Sequence, residues 1–255
     1  MTTPNAAKTR RERRLEERLA RREAPHPRRT ETKGRISLGW LTLVAVVGGL
    51  VLIAAAVVLN GDRNPPTAPL TVAVATVPAD LESDGYALGR ADAPVTIDLY
   101  EDFQCPACRT WGEGVFPRLA ANELANGTAR LVFHPMAFLG PESTTAANAA
   151  WAAGQQGRFW DMWATIYANQ GRENSGALGN ERLVAMAERL GLDLVKFGAD
   201  MDSAAADADL SAGIGEASAA GVSSTPTLVI AGQAYVGVQP YPDIAAAIAA
   251  AGAAR

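Results

Sequence analysis

Cys105 and Cys108 are the residues whose type and spacing most clearly indicate chemistry, and they are the only cysteines among 255 residues. Residues three apart on a helix are neighbours, so the two thiols can form a disulfide with little movement of the backbone. A thiolate attacks a disulfide to give a mixed disulfide, which a second cysteine then resolves. The pair predicts thiol–disulfide exchange, with Cys105 as the nucleophile and Cys108, one turn deeper, as the resolving thiol.

Two structural alternatives for the cysteines are weaker. A structural zinc site needs four ligands, and the chain adds only His26 and His134, of which His26 lies in the basic N-terminal tail. A structural disulfide that closes so short a loop would stabilise the fold little. We therefore expect a redox pair and no bound metal or cofactor.

The segments around the cysteines explain why Cys105 would be reactive. Val95, Ile97 and Leu99 alternate with polar residues, which predicts a strand. Helical periodicity follows from Pro106, and proline suits the first position of a helix. Cys105 would then lie at a helix N-terminus, where free N–H groups and the helix dipole stabilise a thiolate.

The chain beyond the cysteines predicts an α/β core. The first helix should run to about Leu124, and Ala129–His134 reads as a second strand, ended by Pro135; together these segments predict a parallel βαβ unit. Tyr86–Gly89 is a candidate short edge strand. For 71–77 the pattern leaves open a linker or an edge strand.

Helical patterns dominate from about 142 to 220, which predicts a helical subdomain inserted into the core, with Asp193 as the N-cap of one helix. Sheet patterns then resume as the strand Thr227–Ile230, a tight turn, and a second strand over 234–238. Residues 244–251 predict a final short helix. Pro226 begins the strand, and its residue type alone favours an ordinary trans peptide.

The N-terminal part predicts a membrane anchor. Residues 1–35 carry a net charge of +7 against −11 for the rest, and they contain no aromatic residue to stack on bases, which argues against nucleic-acid binding. Residues 36–59 are uncharged and long enough to span a bilayer, and exceed the apolar region of a cleaved signal peptide, the alternative. The basic tail places the N-terminus in the cytoplasm. We expect a single-pass cell-membrane protein with a linker over 60–84 and an extracytoplasmic domain over 85–255.

The motifs Phe103-Gln-Cys-Pro-Ala-Cys108 and Gly221-Val-x-x-Thr-Pro-Thr227, separated by the helical insertion, resemble those of the DsbA-like branch of the thioredoxin superfamily, in its membrane-anchored bacterial form. The resemblance covers about residues 85–255 and implies a thioredoxin-like fold with a helical insertion. It implies that Pro226 is cis beside the cysteines, and that Thr225 offers backbone groups to a substrate peptide. It further implies an enzyme that oxidises thiols of exported proteins and is reoxidised by a quinone-linked membrane partner.

The sequence departs from this family at two positions. Many members carry a buried acid six residues before the nucleophile, where this chain has Leu99, and strand alternation sends Asp98 to the other face. The proton acceptor therefore stays unassigned. Strongly oxidising members have histidine between the cysteines, where this chain has Ala107, so we expect a less extreme reduction potential. We interpret His134 as a structural histidine at a strand end, outside the site.

Three functions fit the sequence. The main hypothesis is an extracytoplasmic dithiol oxidase, with Pro106, Ala107, Thr225 and Pro226 supporting the two cysteines. A disulfide reductase, for example in cytochrome maturation, is the second, and the reduction potential separates the two. A membrane-tethered thioredoxin-like binding module with an inert disulfide is the third. One cysteine pair per chain, with no evident dimerisation segment, favours a monomer.

Overall fold

The computed structural model describes residues 68–78 and 80–254. Within them, six strands form one mixed sheet in the order β1-β2-β4-β3-β5-β6, and only β3 and β4 run parallel. The strands are β1 (Ser83–Asp84), β2 (Ala87–Leu88), β3 (Val95–Asp102), β4 (Ala129–Met136), β5 (Thr227–Ile230) and β6 (Gln233–Val236). The predicted α/β class is confirmed.

The predicted parallel βαβ unit is present and centres the sheet. β3 and β4 pair over eight residues, from Val95 opposite Ala129 to Asp102 opposite Met136. The connection between them is α1 (Pro106–Gly114), then α2 (Phe116–Leu119), then a π-helical turn over 120–124. The predicted single helix is thus divided near Val115.

The prediction that Pro135 ends the second strand is wrong, because β4 continues to Met136. Proline cannot donate a hydrogen bond to a neighbouring strand. On its β2 side, β4 is paired only at Leu131 and Val132, so the missing N–H of Pro135 interrupts no pairing there. The β2 segment also differs from the predicted edge strand, since β1 lies outside it in the sheet.

The insertion is helical, as the periodicity predicts. It consists of α3 (Pro141–Gly154), α4 (Phe159–Ala168), α5 (Asn180–Arg189), α6 (Leu194–Met201) and α7 (Ala204–Ala219). The Asp193 side chain accepts hydrogen bonds from the amides of Val195 and Lys196, which confirms it as the N-cap of α6. Aromatic residues of α4 pack against α1 and α2, and Trp160 stacks on Phe116 with ring centroids 5.5 Å apart.

Residues 70–77 form neither a strand nor a free linker, although the sequence left this choice open. They lie along α4, whose Asn169 and Thr165 side chains each bond both backbone groups of one residue, Thr71 and Ala73 respectively. We call residues 70–77 the strap. The stretch predicted as linker therefore contributes the strap and, at 83–84, strand β1.

The C-terminal hairpin and helix match their predictions closely. β5 and β6 pair antiparallel through a turn in which Ala231 and Gly232 have positive φ, and α8 (Tyr241–Ala253) closes the fold. In the described part of the chain, no helix combines the length and apolarity that crossing a bilayer requires. The predicted basic tail, the anchor over 36–59 and the start of the linker lie outside the described residues.

Candidate functional site

Cys105 occupies the N-cap of α1, directly before Pro106, which begins the helix. Its amide donates to the Asp102 carbonyl at 2.9 Å, and its own carbonyl accepts from the Cys108 amide at 3.1 Å. Cys105 retains 8% of its accessible surface, whereas Cys108 has none. Both are free thiols. The outer thiol is the one a second molecule can reach.

The two thiols differ in acidity. A hydrogen bond from Cys108 is the largest cause that lowers the pKa of Cys105, to about 6; burial opposes it, and hydrogen bonds from Thr225 and the amides of Cys108 and Ala107 add to it. Burial raises the pKa of Cys108 well above its ordinary value, and the neighbouring Cys105 and Glu101 raise it further. At neutral pH the site therefore holds a Cys105 thiolate beside a protonated Cys108.

Glu101 is a buried acid beside the thiols that the sequence analysis did not select. It is fully buried near the end of β3. Its Oε2 accepts hydrogen bonds from Trp163 Nε1 at 2.9 Å and from the Tyr167 hydroxyl at 3.2 Å, while Oε1 has no hydrogen-bond partner within the described residues. Burial raises the pKa of Glu101 to about 8, despite the opposing hydrogen bonds, and the charge of Cys105 contributes to this rise.

Strand alternation could have found Glu101. It is two residues beyond Leu99 and so faces the same side of the sheet, the side that holds the sulfurs. Leu99 itself is part of the apolar core, and Asp98 lies on the opposite face with His134, as alternation predicts. The acid on this face is therefore displaced along β3 from the position that the resemblance suggested.

Asp102 fixes the loop that carries the nucleophile. Its buried carboxylate accepts hydrogen bonds from the Gln104 amide at 2.8 Å and the Ser143 hydroxyl at 2.6 Å. It also accepts from the amides of Phe138 and Leu139, which lie between β4 and α3. One side chain thus ties the start of α1 to the insertion.

Gln170 and Gln104 continue this polar frame. The Gln170 side chain donates to the carbonyls of Phe103 and Cys105 at 2.8 and 3.0 Å. The Gln104 side chain exchanges hydrogen bonds with Asn174. These contacts join segments 65 to 70 residues apart, so the sequence by itself contained no local signal for them.

The segment before β5 completes the site. The Thr225–Pro226 peptide bond is cis, as the family resemblance implied and against the preference of the residue type alone. The Cys105 sulfur lies 3.4 Å from the Thr225 carbonyl oxygen, which accepts a hydrogen bond from the protonated thiol, so this segment lies beside the nucleophile. Ala107 lies between the cysteines on the first turn of α1.

The fold therefore brings together the cysteines, Pro106, Ala107, Thr225 and Pro226. His134 lies outside this cluster and bonds Asp98 and Glu216. Among the residues described, no three or more His, Cys, Asp or Glu side chains are grouped as metal ligands.

A two-cysteine motif at the start of a helix, beside a cis-proline that precedes a strand of a mixed sheet, defines a thioredoxin-fold domain with a thiol–disulfide site. The family model described as Thioredoxin matches residues 82–250, and the chain belongs to this family.

A curated relative and a solved structure indicate which kind of thioredoxin-fold protein this chain resembles. The chain is 34% identical over 125 residues to a probable disulfide bond formation protein D of Bacillus cereus, matching 48% of this chain and 58% of the relative. It resembles the crystal structure of oxidised BdbD from Bacillus subtilis with a TM-score of 0.62 at 20% identity, covering 72% of this chain and all of that one. The relatives of this type are disulfide bond formation proteins, which are thiol–disulfide oxidoreductases, and the fold is DsbA-like.

A second group of relatives is larger than this chain. The chain is 33% identical over 177 residues to Na(+)/H(+) antiporter NhaA 1 of Salinispora arenicola, matching 69% of this chain and 26% of that protein. The chain thus spans about a quarter to three fifths of the length of these curated relatives. The match to the antiporter covers a minor part of its length, so antiport is not carried over to this chain.

Proposed function

We propose that this chain is an enzyme that oxidises pairs of cysteine thiols in other proteins through a Cys105–Cys108 disulfide. The observation that carries the proposal is the difference in acidity between the two thiols, with the pKa of Cys105 at about 6 and that of Cys108 far higher. A stable Cys105 thiolate is a good leaving group and favours the reduced form of the enzyme. An enzyme whose reduced form is stabilised donates its disulfide.

The reaction proceeds by two exchanges. A substrate thiolate attacks Cys105 in the disulfide, forms a mixed disulfide and releases Cys108 as a thiolate. A second substrate thiolate then attacks the substrate sulfur of the mixed disulfide, closes the substrate disulfide and releases the Cys105 thiolate. The substrate loses two electrons, which the enzyme keeps as its dithiol.

Glu101 is the group that we assign to proton transfer. Its pKa of about 8 leaves it mostly protonated at neutral pH, so it can give a proton to the Cys108 thiolate as that thiolate is released. In the reverse direction its carboxylate accepts the proton from Cys108. The charge of Glu101 raises the pKa of Cys108, and the charge of Cys105 raises the pKa of both, which indicates that the three groups share one low-dielectric site.

Thr225 and Pro226 are proposed to hold the substrate. Backbone groups beside the nucleophile can bind an extended peptide by adding it as a strand, which gives affinity without requiring one sequence. The loop at 137–140 donates two amides to Asp102, which also holds the Gln104 amide, and its Phe138 is 52% exposed, so an apolar residue is available on the loop tied to the start of α1. Pro106 and Ala107 keep the nucleophile at the helix terminus without adding charge.

The substrates and partners are proposed from the sequence and from the kind of relative. The uncharged stretch over 36–59 and the basic tail support an anchored protein whose enzymatic domain faces the extracytoplasmic side. Its substrates would be thiols of exported proteins. A quinone-linked membrane protein would reoxidise the Cys105–Cys108 dithiol, and the chain would act as a monomer without a cofactor.

The reduction potential tests the proposed direction. The full-length chain in detergent would be equilibrated with glutathione mixtures and followed by tryptophan fluorescence, because Trp111 is buried on α1, one turn beyond Cys108. We expect a potential well above thioredoxin's value of about −270 mV. A potential at or below that value would indicate a reductase, and no reversible transition would indicate a binding module. The Cys108→Ser variant is the control, since it cannot form the disulfide.

A further inference from the structure

His134 is held between two carboxylates on the face of the sheet opposite Glu101. Its Nδ1 lies 2.6 Å from Glu216 Oε2 of α7, and its Nε2 lies 2.9 Å from Asp98 Oδ1 of β3. The ring also stacks on Tyr100, with centroids 4.6 Å apart and planes at 18°. We call His134, Asp98 and Glu216 the His134 clamp. It joins β3, β4 and α7 at one point.

α7 crosses β4 and makes contacts on both sides of the crossing point. A β-carbon at Gly213 would lie 2.7 Å from the Pro135 ring and 2.8 Å from its carbonyl oxygen, so the helix crosses β4 with no room for a side chain. One turn earlier, Asp209 accepts a hydrogen bond from the Tyr86 hydroxyl at 2.6 Å. Less than one turn later, Glu216 enters the clamp. Before the crossing at Gly213, α7 is thus held by Asp209 and by Asp207, which accepts a hydrogen bond from Asn148 of α3 at 2.9 Å; after the crossing it is held by the clamp.

Only the clamp tie lies next to the loop that reaches the nucleophile. α7 ends at Ala219, and the amides of Gly221 and Val222 bond back to the carbonyls of Ser218 and Ala217 at 3.1 and 2.8 Å. Val222 packs with Tyr100, the residue on which His134 stacks. Three residues further on, the Thr225 carbonyl oxygen lies 3.4 Å from the Cys105 sulfur.

We propose that His134 is a positioning residue for the thiol–disulfide reaction: through the clamp it holds the C-terminal end of α7, and with it the Thr225 loop, in place beside Cys105. The inference rests on the proposed function for its effect on substrate, but the contacts that carry it do not. His134 itself touches no reacting atom. Its loss should impair use of an extended peptide, which needs the Thr225 backbone, more than use of a small dithiol.

The clamp should also respond to pH. Burial acts to lower the pKa of His134, but hydrogen bonds and charge from Asp98 and Glu216 outweigh it and raise that pKa. Tyr100 of β3 also faces the ring, and Asp209 of α7 and Tyr86 line the adjoining cavity of about 230 Å³. A raised histidine pKa gives stability that is full below the unfolded value of about 6.5 and is lost as pH rises through the folded value. The clamp should therefore loosen on the alkaline side.

The test compares His134→Gln and the milder Glu216→Gln with a matched control, Tyr86→Phe, all in the full-length chain. Tyr86→Phe removes the hydrogen bond to Asp209, a polar contact of the same helix on the other side of Gly213 from the clamp. The main readout is the ratio of the second-order rate constants for oxidation of a two-cysteine peptide and of dithiothreitol. We expect both clamp variants to lower this ratio about fivefold, the effect of losing one hydrogen bond of ordinary net strength, and Tyr86→Phe to leave it unchanged.

Hydrogen exchange at the amides of Gly221 and Val222 gives a readout that needs no activity. It should accelerate in the clamp variants alone. In the wild type the peptide-to-dithiothreitol ratio should fall with rising pH more steeply than in His134→Gln. If the variants lose stability while the exchange rates and the ratio stay at wild-type values, His134 is only a structural tie and the inference is overturned. If the wild type is inactive but hydrogen exchange at the Gly221 and Val222 amides still depends on His134, the proposed function is refuted and the role of the clamp stands.

Discussion

At the scale of single residues, Glu101 is the least expected feature of this protein. A carboxyl group with no exposed surface loses its hydration, and two hydrogen-bond donors, Trp163 and Tyr167, do not restore the usual acidity. Such burial is destabilising whenever the group is ionised. Glu101 lies next to a redox-active cysteine pair, where a group with a pKa of about 8 can exchange protons near neutral pH. The destabilising burial therefore serves the proposed reaction.

Replacing Glu101 by Gln should separate catalysis from stability. Gln keeps the shape and accepts the same two hydrogen bonds, but it cannot transfer a proton. We expect formation of the mixed disulfide, the step that releases Cys108, to slow roughly 100-fold at neutral pH, measured by rapid mixing of the oxidised enzyme with a dithiol. Glu188→Gln, an exposed change on α5, is the matched control.

The same variant makes a prediction about stability. A carboxyl group whose pKa is raised on folding loses stability as pH rises from its unfolded pKa, about 4.3, to its folded value. The folded pKa is about 8, so Glu101→Gln should gain stability relative to the wild type across that window. Denaturant unfolding at pH 5 and pH 8 measures it. Identical pH dependence in the two proteins would show that Glu101 is not buried as a neutral acid.

At the scale of elements, the strap shows how hydrogen bonds from side chains can take the place of pairing with a neighbouring strand. Thr165 of α4 and Asn169, the C-cap of that helix, are four residues apart and lie on one side of it, and each satisfies both backbone groups of an alternate strap residue. Leu70, Ala75 and Val77 of the strap pack on the main core. Gln170, next to Asn169, bonds the carbonyl of Cys105, so one end of the strap lies near the site.

Asn169→Ala should release the strap. The variant loses the two hydrogen bonds to Thr71 and one to Thr165. Because the strap is partly exposed to water, which can replace these bonds, we expect the free energy of unfolding to fall by only about 1–2 kcal/mol. For a domain of this size that corresponds to a fall in Tm of about 3–6 °C by calorimetry. Limited proteolysis should cut within residues 70–77 sooner than in the wild type. Asn122→Ala, which removes an exposed asparagine side chain that donates to the Arg118 carbonyl, is the control, and equal behaviour of the two variants would exclude a stabilising strap.

At the scale of the whole molecule, the reactive thiol couples folding to oxidation state. The pKa of Cys105 falls to about 6 only in the folded protein, so ionisation of this thiol stabilises the reduced fold. The disulfide stabilises the oxidised fold little, because it closes a very short loop in the unfolded chain. This difference in stability favours the reduced form, so the protein transfers its disulfide to a substrate.

This coupling predicts how the reduced protein responds to pH. A group whose pKa is lowered on folding contributes stability above its unfolded value, about 8.5 for a thiol, and loses it as pH falls through the folded value. The reduced wild type should therefore lose about 3 kcal/mol relative to Cys105→Ser between pH 8.5 and pH 5. Guanidinium unfolding of both proteins measures the difference. Parallel stability curves would show that Cys105 has an ordinary acidity.

The features predicted correctly from the sequence depend on residues close together along the chain. Alternation in β3, the proline that begins α1 and the three-residue spacing of the cysteines are local patterns, and each determines local geometry directly. The helical insertion and the β5–β6 hairpin are predicted for the same reason. The cis peptide before Pro226 came from the family motif and not from the residue type.

The tertiary structure decided what depends on distant segments. Glu101 is buried because Trp163, 62 residues away, covers it, and the strap is ordered against side chains more than 90 residues away. Pro135 remains in β4 because the neighbouring strand β2 is too short to pair with it, so the missing N–H breaks no hydrogen bond. His134 forms a hydrogen bond with Glu216, which lies 82 residues later on another helix. The sequence by itself thus determined the reactive pair and the elements that carry it. The partners that set the proton affinities of Glu101 and His134 became visible only in the packed fold, because burial and charge pairing are properties of contacts between segments.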